Sequence, residues 1–447
     1  MMNNSRALTK ATAIIIAVIV IIAAVGAGVY FAYFYSAAPS TQPPTAPAGI
    51  KIGLLTHLTG SVSPTGQDML RAFQLAVEEI NEQGGVYVKE FNKKLPFIPI
   101  IEDQQSDQQK TIDAANRLVN QHKVDIIVGG FGSAFIYAAQ PIIAQSQTPY
   151  IITGVSTPRV VTRTDIDTSW FVLYQAVGPE HGASIALILA EAVKPVVAPN
   201  RNLKVAVIYQ DSPFGQDFFL GINQTTINRN LPLTFVYVGK FKVGTTDFHA
   251  LLSQAAAAKP DVIVPIGFIA ETINAIQQGV NDLGLKKIWG PVCTCVDDVT
   301  YYKNLGKAGD YSLMQTYYGP YSSHPSVREK VQNFVKKFKE RWGVLPGSQG
   351  ISVYDAVYIA AKAIELAGTL DKTKIRDTLR SMTIDQLTIA VPNGKIHFGE
   401  KGQQTFEIYG VQLRWNETLK ELRPVIIWPS NMKEANFQVP PDFQPGE

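Results

Sequence analysis

Cysteine is nearly absent: 447 residues contain two, Cys293 and Cys295. Two cysteines cannot staple a small secreted scaffold or form a four-cysteine zinc site. Histidine is scarce, six residues in all, and none is followed by glutamate, so the HExxH zinc motif is missing. The nucleophile elbow GxSxG and the phosphate-binding P-loop are missing as well. Charge of one sign is not in excess. There are 40 Lys and Arg against 37 Asp and Glu. Arg6 and Lys10 lie in the first 49 residues, which hold no acid, and subtracting them leaves 38 against 37. A polyanion binder needs a basic surplus, so nucleic acid is not an expected partner. Apolar residues are abundant, at 46% with 17% charged. That composition is globular, and the length exceeds one ordinary core and points to two domains.

Residues 11–50 carry no charge, and 12–35 form one apolar run. About 20 apolar residues suffice to cross a bilayer. Arg6 and Lys10 precede the run, and Tyr30, Tyr33 and Tyr35 cluster at its far end. Positive charge marks the cytoplasmic side and aromatics the outer interface, so the body belongs outside the cell. The run reads either as a retained anchor or as a signal cut at a small-residue site such as 36–38. It is longer than a secretory core of about 7–15 residues. No cysteine follows it closely, which excludes a bacterial-type lipid anchor. Residues 8–11 resemble pilin-type signals, which are clipped ahead of the apolar part and leave the helix on the mature chain. Retention is the expectation. Residues 36–49 contain four prolines and read as an extended stalk.

From residue 50 onward, short β-branched runs alternate with helical spacing. Strands are expected near 50–55, 97–101, 124–129 and 150–153, with helices over 67–82, 108–122 and 134–145. A second series has strands near 204–209, 233–238, 262–266 and 287–289, with helices near 180–193, 214–228, 248–258 and 271–283. Helices at 353–366 and 374–382 and strands near 395–398 and 406–413 follow. Mostly apolar strands separated by helices predict parallel sheets covered on both faces. The expected fold class is α/β, with two doubly wound lobes after one N-terminal helix.

In such sheets ligands sit at the carboxyl ends of strands, facing helix N-termini. Ser133 follows a strand and begins a helix, where a hydroxyl and free amides can hold a carboxylate or carbonyl oxygen. Its plainer reading is an N-cap. Ser156 and Thr157, after the next strand, supply further hydroxyls. The turn at 129–132 lacks GxGxxG, so it is a weak dinucleotide site. Cys293 and Cys295 read as structural thiols or as a metal or redox pair. Asn223 and Asn416 head glycosylation sequons.

The stretch IKIGLLTHLTGSVSPTGQDMLRAFQLAVEEINEQGGV resembles the opening of the leucine/isoleucine/valine-binding family of ABC-transporter solute-binding proteins. So do AANRLVNQHKVDIIVGGFGSA, DSPFGQDF, VGTTDFHALLSQ and YDAVYIAAKAIELAG. The resemblance runs in order from about residue 50 to 429. It implies a type I periplasmic-binding fold with three hinge crossings, near Gln175, 314–318 and 395–406. Ahead of that span come the anchor or signal helix at 1–35 and the stalk at 36–49. Lobe 1 takes 50–174 with 317–400, lobe 2 takes 175–316 with 401–430, and 431–447 is a loose tail.

The resemblance also assigns a site. The solute carboxylate falls to the turns at Gly132 and Ser133 and at Ser156 and Thr157. Phe214 and Phe268 cover its side chain from the other lobe, and Thr65 stands where an aromatic is frequent. Amino-acid binders place an acid after the strand at 287–289. Here 290–294 has none, and Asp297 and Asp298 come too late. A buried ammonium without an anion is costly. An amide, urea-like compound or carboxylic acid is therefore expected unless Asp211, Asp297 or Glu271 supplies the charge. The expected function is capture of a small amino-acid-like, amide or carboxylate solute outside the cell, and its delivery to an ABC permease. No cofactor, metal or catalysis is expected. A membrane-anchored sensor of the same fold is the alternative, and a secreted hydrolase has only Ser133 in its favour.

Overall fold

The computed structural model describes residues 4–35, 45–293, 299–317 and 324–446. The chain divides into two compact units, Met1–Thr45 and Ala46–Glu447. The first holds one helix, α1 (Asn4–Tyr35). Its stretch Thr12–Tyr30, 19 residues, is long and apolar enough to cross a membrane. The predicted stalk lies largely outside the described residues.

The second unit is built on two parallel sheets. The first contains β1 (Ile50–Thr56), β2 (Phe97–Asp103), β3 (Ile126–Phe131), β4 (Tyr150–Gly154) and β5 (Phe171–Leu173). Its strand order is β2-β1-β3-β4-β5, all parallel. Helices α2 (Ser63–Glu82), α3 (Gln108–Asn116) and α4 (Ser133–Gln145) connect the first strands. The face of α2 follows from its spacing: Met69, Ala72, Phe73, Ala76, Val77 and Ile80 are buried at helical intervals. Burying one such large side chain contributes about 1.5–3 kcal/mol.

Helix α5 (Gly178–Ile188) opens the second lobe. Its sheet contains β6 (Leu203–Gln210), β7 (Leu233–Phe241), β8 (Val262–Ile266) and β9 (Ile288–Trp289), in the parallel order β9-β8-β6-β7. Helices α6 (Pro213–Asn228), α7 (His249–Ala257), α8 (Ile269–Gln277) and α9 (Val299–Leu305) belong to it. A three-stranded antiparallel sheet completes the lobe, joining β10 (Leu313–Thr316), β11 (Tyr409–Asn416) and β12 (Glu421–Trp428). Helices α10 (Arg328–Trp342), α11 (Ser348–Ala367) and α12 (Lys372–Ser381) return to the first lobe, where α11 packs on α2.

The chain crosses between lobes three times, and side chains from the crossings meet. Tyr317 donates to Gln175 Oε1 at 2.6 Å. The rings of Tyr317 and Phe406 lie 4.7 Å apart, and those of Tyr174 and Phe406 5.0 Å apart. The Tyr174 hydroxyl donates to the buried carboxylate of Asp355 at 2.8 Å.

The C-terminal segment is not a loose tail. Gly446 N–H donates to the buried Asp261 carboxylate at 2.7 Å, and Gln444 N–H to Lys286 O at 2.9 Å. Gln438 and Gln412 exchange two hydrogen bonds. Phe437 is buried, and Val439 and Phe443 pack against the core. Isolated apolar residues between prolines show no period, so their burial escapes pattern reading.

Candidate functional site

The turn after β3 faces the second lobe and is held by its neighbours. Gln104 brackets the Phe131 backbone: its Oε1 accepts the Phe131 N–H at 3.2 Å, and its Nε2 donates to the Phe131 carbonyl at 3.4 Å. His57 adds a third tie. Ser106 N–H can only donate, so His57 Nδ1 accepts it at 2.9 Å. The Phe131 carbonyl can only accept, so His57 Nε2 carries the proton at 3.0 Å. The ring is therefore neutral, and burial pushes its pKa down to about 4.

Gly132, at φ +84°, then turns the chain into α4, and a Cβ there would stand 2.5 Å from the Phe135 ring. Its N–H donates to Gly154 O at 3.0 Å, which ties this turn to the loop carrying Ser156 and Thr157. Gly132, not Ser133, is the N-cap of α4. The N-cap reading of Ser133 therefore falls. Its hydroxyl is buried and has no hydrogen-bond partner among the described residues. No side chain among the described residues is within hydrogen-bond reach to take its proton. The amides of the first turn of α4 are those a helix leaves without intrahelical partners.

Ser156 is buried, with its carbonyl accepting Gly178 N–H at 2.5 Å. Thr157 reaches across the lobes: its hydroxyl donates to Asp217 Oδ2 on α6 at 2.5 Å. Arg159 donates to Asp217 Oδ1 at 2.8 Å. The hydroxyl of Thr157 is thus committed to an interlobe contact.

Phe214 and Phe268 come together, ring centroids 5.3 Å apart. Phe131, not singled out from the sequence, packs on Phe268 at the same 5.3 Å. The lobes meet through this aromatic cluster, each pair of which contributes about 0.5–1.5 kcal/mol beyond burial. Beside it lies a cavity of about 160 Å³, walled by Thr65 and Val62 from the first lobe and by Phe268, Ile273 and Glu271 from the second. Thr65 and Phe268 line this cavity; Gly132, Ser133, Ser156, Thr157 and Phe214 do not.

Of the three acids left open as a counter-charge, Glu271 lies at the cavity. Its carboxylate is buried and accepts Gly244 N–H at 2.6 Å, Phe268 N–H at 2.9 Å and Gln210 Nε2 at 2.8 Å. Burial raises its pKa against the pull of those donors. A negative group is therefore available beside the cavity, and an ammonium is not excluded on charge. The signal was present. Glu271 lies three residues beyond Phe268, at the third position of the helix after β8, where an acid caps the turn. Asp211 is half exposed and pairs with Lys240 and Gln216 instead. Asp297 and Asp298 lie outside the described residues. Cys293 is disulfide-bonded, which overturns its reading as a structural thiol; Cys295 lies outside the described residues. Among the described residues no cluster of His, Cys, Asp and Glu could hold a metal.

A family model described as periplasmic binding protein matches residues 49–418. The leucine-, isoleucine-, valine-, threonine- and alanine-binding protein of Pseudomonas aeruginosa is 25% identical over 359 residues, covering 79% of this chain and 86% of that protein. A leucine-binding protein of Thermotoga maritima superposes with a TM-score of 0.70 at 22% identity, covering 86% of this chain and 100% of that one. An ABC-transporter solute-binding protein of Rhodopseudomonas palustris, solved with 3,4-dihydroxybenzoic acid, gives a TM-score of 0.71 at 21% identity, covering 88% and 99%. Both likenesses concern the two-lobed fold.

Proposed function

Because the chain belongs to the periplasmic binding protein family, of the leucine/isoleucine/valine-binding kind, we propose that it captures a small solute between its lobes and delivers it to an ABC permease. The solute is amino-acid-like, an amide or a carboxylate. The observation that carries this reading is the Ser133 hydroxyl, buried at the start of α4 and without a partner among the described residues. A buried hydroxyl left without a partner costs about 1–3 kcal/mol, and a solute oxygen would remove that cost. The first-turn amides of α4 and its dipole favour the same negative group. Ser156 stands beside this turn. Phe131, Phe214 and Phe268 offer an apolar wall, and Glu271 offers a counter-charge should the solute carry an ammonium.

Helix α1 anchors the body at the outer face of the membrane in this reading, with Arg6 and Lys10 inside. The lobe limits drawn from the sequence, 50–174 with 317–400 and 175–316 with 401–430, serve as the two bodies that close on the solute. Closure is a hinge motion driven by contacts the solute makes to both lobes.

A thermal-shift screen of the full-length protein against amino acids, amides and aromatic or aliphatic carboxylates tests the proposal. At about a hundred times its dissociation constant a true solute adds about 2.7 kcal/mol of stability. No shift with any member of the three classes would rule it out.

A further inference from the structure

A second cavity, of about 270 Å³, opens beside the first. The two share Pro64, Thr300 and Asn304. Two cations line it from opposite lobes: Arg71 on α2 and Lys303 on α9. Neither has a hydrogen bond or an ion pair among the described residues. The one acid among the described residues of the cavity wall, Asp68, is buried and held by backbone. It accepts Gly347 N–H at 3.1 Å and Gly350 N–H at 2.7 Å. Arg71 acts on it at a distance, and burial still pushes its pKa up to about 6. The cavity thus has two uncommitted donors of positive charge and one carboxylate already satisfied by backbone.

Like charges on facing lobes resist closure unless something negative lies between them. Arg and Lys supply up to eight N–H donors and no acceptor, so the group they fit is an oxyanion. We infer that the cleft has a second anion subsite between Arg71 and Lys303, and that its solute carries a distal carboxylate, sulfonate or phosphate in addition to the group held at Ser133. This rests on the interlobe solute site proposed above. The subsite contributes to closure as well as to selection, because one anion would join side chains of both lobes. Arg favours the planar, two-pronged contact and Lys the point charge, a pairing suited to carboxylate.

The test uses calorimetry on the full-length protein in detergent. The probes are straight-chain dicarboxylates from succinate to suberate against monocarboxylates of matching length, and glutamate against norvaline. The expected result is one doubly anionic probe binding at least about tenfold more tightly than its singly anionic partner. In Arg71→Ala and in Lys303→Ala that ratio falls to about one. Equal affinities throughout, with binding that still depends on Ser133, would overturn the second subsite and leave the cleft reading intact. A preference that survives in both variants would overturn it as well. No binding by any probe would overturn the second subsite, and the wider thermal-shift screen, which includes amides and aromatic acids, would then decide the cleft reading separately.

Discussion

Ser133→Ala is expected to weaken solute binding by about tenfold to a hundredfold while leaving the empty protein as stable as before. A hydrogen bond to a charged group contributes about 1.5–3 kcal/mol, which sets that range. The second half of the prediction separates function from architecture. The Ser133 hydroxyl is buried and has no hydrogen-bond partner among the described residues, so removing it breaks no hydrogen bond they make. A serine kept for the fold would show the reverse, a loss of stability with affinity unchanged. Calorimetric titration and denaturant unfolding of wild type and variant, side by side, check both halves. A covalent adduct on Ser133 after treatment with a fluorophosphonate would point to a nucleophile instead.

The largest expected stability effect lies at the hinge. Asp355 sits on α11, fully buried, and gathers three donors from distant parts of the chain. Its Oδ1 accepts Ile389 N–H at 3.0 Å, and its Oδ2 accepts Ala390 N–H at 2.9 Å and the Tyr174 hydroxyl at 2.8 Å. Asp355→Ala strands all three donors in the interior. Each buried orphan costs about 1–3 kcal/mol, so a loss of about 3 kcal/mol or more is expected. Burial pushes the Asp355 pKa up to about 7 from an ordinary 3.8. The sign follows: the folded state binds the proton more tightly than the unfolded one. Stability from this group is full below pH 3.8 and is lost as the pH rises through 7. The penalty of Asp355→Ala should therefore shrink between pH 5 and pH 8, as read from denaturant midpoints. A penalty that grows with pH would show that the three donors hold the ionised form.

The sequence carried the lobes and one half of the cleft. Residues 126–133 announce themselves: an apolar strand, three glycines that permit left-handed backbone, then a serine opening a helix. Periodicity, turn chemistry and topology agree there, and the structure follows. The hinge crossings near Gln175 and 314–318 came from the family resemblance, since no local pattern marks where a chain passes between lobes. Other features depend on what folding brings near. Phe131 has the pattern of a strand-core residue, and only the approach of Phe268 makes it part of the interlobe surface. Glu271 was one of three candidate acids, and its capping position alone did not single it out over Asp211. Its burial comes from Gly244 and Gln210, which belong to neighbouring strand ends. Arg71 and Lys303 are ordinary helix charges more than 200 positions apart in the chain, and no local pattern pairs them. Helix α10 was missed because its apolar residues, Val331, Phe334 and Phe338, are outnumbered by charges. The tail after residue 430 was misjudged because its anchor, Asp261, lies on the far side of the second lobe's sequence.

The central claim is that a solute closes the two lobes upon one another about the hinge. The most direct measurement is a distance across the cleft by pulsed electron paramagnetic resonance. Spin labels would sit at Lys110→Cys and Lys242→Cys, exposed positions near the strand ends of opposite lobes. The account predicts a broad or long distribution without solute. It predicts collapse to one shorter distance at saturating concentrations of whichever carboxylate or amino acid gives the largest thermal shift. The same collapse should need a higher solute concentration in Ser133→Ala. A solute that stabilises the protein yet leaves the interlobe distance unchanged would contradict the account.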